Sequence, residues 1–151
     1  MNAYIDALKM LGRRELSEAQ IRQRLARKEY DDEAIDEAVA RLIAERAIDD
    51  NRVAEAIART ETSFRKRGKL RVKRRIESAG IASATAKRAV DEVFGALDPD
   101  ALLDSALAKR LRHGNAIADD REFNRLYRYL VGQGFESDRV VARLKKLKSS
   151  K

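Results

Sequence analysis

Gly68-Lys69-Leu70-Arg71-Val72-Lys73-Arg74-Arg75-Ile76-Glu77-Ser78-Ala79-Gly80-Ile81 is the stretch from which the fold can be read. Val72, Ile76 and Ala79 stand at i, i+4 and i+7, so they share the buried stripe of one amphipathic helix. Gly80 supplies the left-handed position just past a helix end, and Ile81 can fold back on the last turn. Eight of the eleven residues from Arg65 to Arg75 are basic.

The design recurs twice. Upstream, Ile21, Leu25 and Lys28 hold the equivalent places, followed by Glu29-Tyr30. Downstream, Leu126, Leu130 and Gln133 hold them, followed by Gly134-Phe135. Val72 lies 51 residues after Ile21, and Leu126 lies 54 after Val72. A further stripe follows each copy, at Ile35/Val39/Leu42, Ala86/Val90/Val93 and Val140/Leu144/Leu147. Self-similarity at such a period marks a repeat architecture. The spacing predicts an all-α chain of three tandem three-helix repeats over 1–48, 49–98 and 99–151. None could bury its apolar side alone, so the helices must pack within and between units.

Local signals set the helix ends. A first helix is expected from about Ala3 to Arg13, with Tyr4, Leu8 and Leu11 on one side. Ser17 with Gln20 forms a capping box for the second. Asp31 or Asp32 caps the third, Asp49-Asp50 opens the second unit, and Ser83 caps that unit's third helix. The polar segment from Thr60 to Lys69 either extends the helix of Val53 and Ile57 or forms a loop. Asp98 caps a helix beginning at Pro99, where proline is well placed. After Leu111, Arg112-His113-Gly114-Asn115 reads as a polar turn, and Asp119 or Asp120 caps the helix of Phe123, Leu126 and Leu130.

Composition bounds the function. Charged residues make up 38% of the 151, with one proline and seven glycines, which favours helix. Aromatics are few, so small local cores are expected. The absence of cysteine excludes disulfides and thiolate metal sites and suits a reducing cytoplasm. Nothing resembles a signal peptide, and no apolar run approaches a membrane span, so no membrane partner is expected. The net charge of +8 divides as −1, +4 and +5 over the three units. The natural partner is a polyanion or an acidic protein surface.

Three features resemble the RecX family of bacterial recombination regulators: Gly68 to Arg71 leading into Val72, Ile76 and Ala79-Gly80-Ile81; Asp49-Asp50-Asn51-Arg52 with Val53-Ala54; and Arg128-Tyr129-Leu130 with Gly134-Phe135. The resemblance runs from about Ala3 to Leu147. It implies a non-enzymatic, cytoplasmic protein of three helical units in an elongated, curved array. It further implies binding to the RecA filament, restraint of its activities in recombination, repair and the SOS response, and often binding to single- and double-stranded DNA. A monomer is expected. One departure is Glu29, which stands where the family-like turn usually has glycine. Either a non-glycine left-handed residue is tolerated there, or the turn differs.

The candidate binding residues form two sets. The first is Arg65, Lys66, Arg67, Lys69, Arg71, Lys73, Arg74 and Arg75, for which Glu77 is the only acid evident nearby. Like charges this dense repel one another unless an anion neutralises them, so anion binding is favoured over a merely solvated face. The second set is Arg121, Arg125, Arg128, Arg139, Arg143, Lys145 and Lys146. Tyr127 and Tyr129 lie close by and could stack on bases, but core packing is the better reading. The Asp pairs 31/32, 49/50 and 119/120 precede helices and read as caps rather than a carboxylate site. His113, the lone histidine, cannot anchor a usual zinc site. No cofactor, metal or catalytic residue is expected. Two rivals to a filament regulator are a plain nucleic-acid-binding module, presenting a recognition helix, and an adaptor acting through helix–helix contacts.

Overall fold

The computed structural model describes residues 2–108, 110, 111 and 116–149. The predicted polar turn at Arg112, His113, Gly114 and Asn115 lies outside them. Nine helices follow one another among the described residues: α1 (Ala3–Arg13), α2 (Glu18–Arg27), α3 (Asp32–Ala44), α4 (Asp50–Ser63), α5 (Lys69–Ser78), α6 (Ser83–Gly95), α7 (Pro99–Leu107), α8 (Asp120–Gly132) and α9 (Ser137–Ser149). They form three repeats of three, each around a small core. Ile21, Leu25, Val39 and Leu42 anchor the first, Ala54, Val72, Ile76 and Ala86 the second, and Leu103, Leu126, Leu130 and Leu144 the third. Tyr127 and Tyr129 pack against the third core.

The caps explain the boundaries. Ser17 Oγ accepts from the Gln20 amide, and the Gln20 side chain accepts from the Ser17 amide, closing the capping box. Asp31, Asp49, Asp98 and Asp119 each accept from first-turn amides. The polar segment divides: Thr60 to Ser63 extend α4, and a short loop from Phe64 leads to α5. One expectation is corrected. Ser83 is the first residue of α6, not its cap; Ala82 takes the cap position with no side-chain bond. The Ser83 hydroxyl is instead engaged by Lys73 Nζ at 3.0 Å.

The turn after the middle helix shares one bond and a left-handed residue in all three repeats. The amide of the residue after α2's last turn, Glu29, donates to Ala26 O, and Tyr30 N donates back to Leu25 O. Gly134 and Phe135 repeat both bonds, and Gly80 repeats the first. All three turn residues are left-handed: Glu29 at φ 68, Gly80 at φ 80 and Gly134 at φ 101. A non-glycine residue is therefore accommodated in repeat one.

The middle helices α2, α5 and α8 stack end to end. At one joint Ser17 Oγ donates to Ala79 O at 2.5 Å, where α5 ends. At the other, the Gly68 and Leu70 amides donate to Gln133 O at 2.8 Å and Gly134 O at 3.0 Å. At the second joint, amides left over at the start of α5 thus meet carbonyls left over at the end of α8; at the first, the Ser17 hydroxyl satisfies a carbonyl at the end of α5. Arg52 reinforces the first joint by pairing with Glu15 and donating to the carbonyls of Arg46 and Ala47. This stacking draws the molecule out. Its accessible surface is 9419 Å², against about 7,700 Å² for a compact monomer of 17.1 kDa.

Asp6 is a buried carboxylate in repeat one. The Tyr30 hydroxyl donates to it, and this bond, helped by Lys28 and Lys9, holds its pKa below the usual carboxylate value despite burial. Its stabilising contribution is present above the unfolded-state value, about pH 4, and is lost as pH falls through the lower folded value. Asp6→Asn should therefore lower stability at neutral pH and flatten the loss on acidification below about pH 4. Urea midpoints taken across that range check it.

Candidate anion-binding surface

Helix α5 and the loop before it carry the first predicted cation set. Val72 and Ile76 fix the helix to the second core with no exposure, so the basic positions are placed by the stripe. Their fates differ. Glu61, at the end of α4, is only 4% exposed. It receives Arg67 at 3.0 Å, Arg65 at 3.2 Å and Arg75 at 4.0 Å. The spacing Glu61–Arg65 was the available signal, since i, i+4 pairs face each other on a helix.

Other members of the set have internal partners as well. Lys69 lies 3.5 Å from Asp91, and Lys73 pairs with Glu77 at 3.2 Å. Hydrogen bonds from Lys87 to Asp91, and from Lys73 to Glu77, hold both carboxyls below their usual range. Arg71 reaches across the second joint to Gln133 Oε1 at 2.7 Å and Gly132 O at 3.3 Å. The expectation that Glu77 is the only nearby acid is therefore corrected by Glu61 and Asp91. Lys66 and Arg74 remain exposed, with no ion-pair partner among the described residues. Arg65 and Arg75, about half exposed, keep an open side beyond Glu61. A cleft of about 300 Å³ runs along this edge, bounded by Arg14 and Gln20 of repeat one and by Glu61, Arg65, Arg67 and Arg75.

The second set is divided too. Arg143 makes a two-pronged contact with Asp104, at 2.8 and 2.5 Å, which raises its pKa and ties α9 to α7. Arg125 donates to Arg110 O at 3.3 Å and lies 3.7 Å from Glu122. Arg110 covers the ring of Tyr129 at 4.3 Å from its centroid, which leaves that face unavailable to a base. Arg121, Arg128 and Arg139 are exposed, as are Lys145 and Lys146 on α9. Among the described residues, no group of three or more His, Cys, Asp or Glu side chains could hold a metal ion. No described helix is long and apolar enough to cross a membrane.

Residues 3–42 match the family model for the first three-helix domain of RecX. The chain is 30% identical over 137 residues to regulatory protein RecX of Halorhodospira halophila, covering 90% of this chain and 82% of that protein. It is 28% identical to regulatory protein RecX of Syntrophotalea carbinolica, covering 90% of each. In fold it is similar to the crystal structure of RecX from Lactobacillus salivarius, with a TM-score of 0.81 at 20% identity over 96% of this chain and 94% of that one. It is similar also to a second regulatory protein RecX, with a TM-score of 0.79 at 21% identity over 95% of this chain and 71% of that one. With the repeat, the turn and the relatives in agreement, the chain belongs to the RecX family of regulatory proteins.

Proposed function

We propose that this chain binds the RecA nucleoprotein filament and restrains its activities without catalysing a reaction. The observation that carries the reading is the pair Lys66 and Arg74, exposed and without an ion-pair partner among the described residues, on a drawn-out scaffold. Cations held apart from internal acids keep their charge for a partner, and an elongated array can bridge successive protomers of a helical polymer. Single- or double-stranded DNA phosphates and acidic protein surface are the complementary groups. Occupying the filament groove would hinder subunit exchange and strand pairing by exclusion. A RecA partner would place the chain in the cytoplasm.

The test must spare Arg71, whose reversal would break the second joint. Lys66→Glu with Arg74→Glu should leave helicity and thermal midpoint unchanged. It should raise the concentration needed to inhibit RecA ATPase and strand exchange by about tenfold or more, since like charges then face the partner. Unchanged inhibition would remove these cations from the mechanism. Inhibition lost in parallel with DNA binding, and no association with DNA-free RecA, would favour a nucleic-acid-binding module acting without RecA.

A further inference from the structure

Repeat one has a net charge of −1, yet six of its nine cations line one groove. The acids Asp32, Glu33, Asp36 and Glu37 lie on α3. The groove between α1 and α2, about 440 Å³, is lined by Lys9, Arg13, Arg14, Arg24, Arg27 and Lys28. Its one carboxylate, Asp6, is buried and accepts from the Tyr30 hydroxyl, with Lys28 Nζ 4.0 Å away. Arg13, Arg14, Arg24 and Arg27 are exposed and have no ion-pair partner among the described residues. Arg14 also lines the cleft beside Arg65, Arg67 and Arg75. The acids at that passage are both engaged: Glu15 pairs with Arg52, and Glu61 with Arg65, Arg67 and Arg75.

We infer that the α1–α2 groove is a phosphate-backbone site for nucleic acid, continuous through Arg14 with the cationic edge of repeat two. The site takes a strand across the first joint, so repeat one is a binding unit despite its negative net charge. Charge complementarity selects a polyanion. The lining selects nucleic acid over an acidic protein: Met10 is its single apolar side chain. Protein interfaces depend on buried aromatic or aliphatic anchors, whereas nucleic-acid interfaces are polar and strongly cationic. This rests on the DNA component of the function proposed above and extends it to residues outside the basic helix.

The test is binding of the full chain to fluorescein-labelled oligothymidine by anisotropy, over about 50 to 200 mM salt. Arg24→Glu with Arg27→Glu should weaken binding about tenfold or more, and Arg24→Gln with Arg27→Gln should weaken it less. The slope of log K against log salt should fall by about 1.4 in the Gln pair, two contacts at ~0.7 each on a single strand. Lys87→Glu with Arg88→Glu changes net charge equally but lines neither cavity, and should leave most of the affinity. Equal losses in groove and control variants, or an unchanged slope, overturn the groove site alone. Failure of the unaltered chain to bind oligothymidine overturns this site and the DNA component of the proposed function together. Inhibition of RecA that survives that failure keeps the filament reading.

Discussion

Gly134→Ala should cost about 3 kcal/mol and uncouple the third repeat from the second. Gly134 combines two demands. Its φ of 101 lies in the region that L side chains rarely adopt, a strain of order 1–3 kcal/mol. A Cβ there would also overlap the backbone nitrogen and Cβ of Arg71, and a helix start cannot retreat as a flexible side chain can. Overpacking of this kind adds roughly 1–3 kcal/mol. Gly68, across the joint, is equally confined, with Gly134 C 2.5 Å from where its Cβ would stand. The loss falls on the bonds from Gly68 and Leu70 to Gln133 and Gly134, so urea unfolding should separate into two transitions, as expected of weakly coupled repeats. Gly132→Ala is the contrasting variant. Nothing lies within 4 Å of its added methyl, and alanine in a helix should stabilise by about 0.5–1 kcal/mol. A single transition of undiminished midpoint in Gly134→Ala would show that the joint yields freely.

Glu61→Leu should give the second large effect, a loss of about 2–3 kcal/mol. Removing one partner of a buried ion pair leaves an uncompensated charge, at roughly 3–5 kcal/mol when both groups are buried. Here Arg65 and Arg75 regain water, but Arg67 is only 20% exposed and its Nε lacks a partner even with Glu61 in place. With two of the three arginines re-solvated, the expected loss falls below that range, to about 2–3 kcal/mol. The variant carries a second readout of opposite sign. Deleting the carboxylate frees three guanidinium groups, so affinity for oligothymidine should rise while the unfolding midpoint falls. Glu61→Gln should move both quantities less. Falling stability with falling affinity would mean that Glu61 positions the arginines rather than occupying them.

The helices and cores were legible because their signals are local. The stripe of Val72, Ile76 and Ala79 and the pair Ser17 and Gln20 act within two turns of chain. The glycines marked where the turns fall. What escaped depends on groups far apart in sequence. Nothing near Gly68 announces that it packs on Gly134, and nothing near Arg75 announces Glu61 on the preceding helix. Ser83 looked like a cap because serine before an apolar run usually is one, but α6 begins one residue early and Lys73 claims the hydroxyl. Net charge concealed the groove of repeat one, since summation over a unit averages opposed faces. Dense basic sequence concealed internal pairing for the converse reason: Arg67, Arg71 and Arg143 have partners within the chain.

Glu29 carries a last consequence. Gly80 and Gly134 occupy turns against which another repeat is seated, and each lacks a Cβ where that neighbour comes closest. Glu29 adopts the same backbone at the outer end of α2, exposed to solvent. A second molecule adding there in the same register would drive the start of its own helix into a charged side chain. A side chain at that end would therefore oppose open-ended head-to-tail growth, the hazard of any interface that repeats without closing.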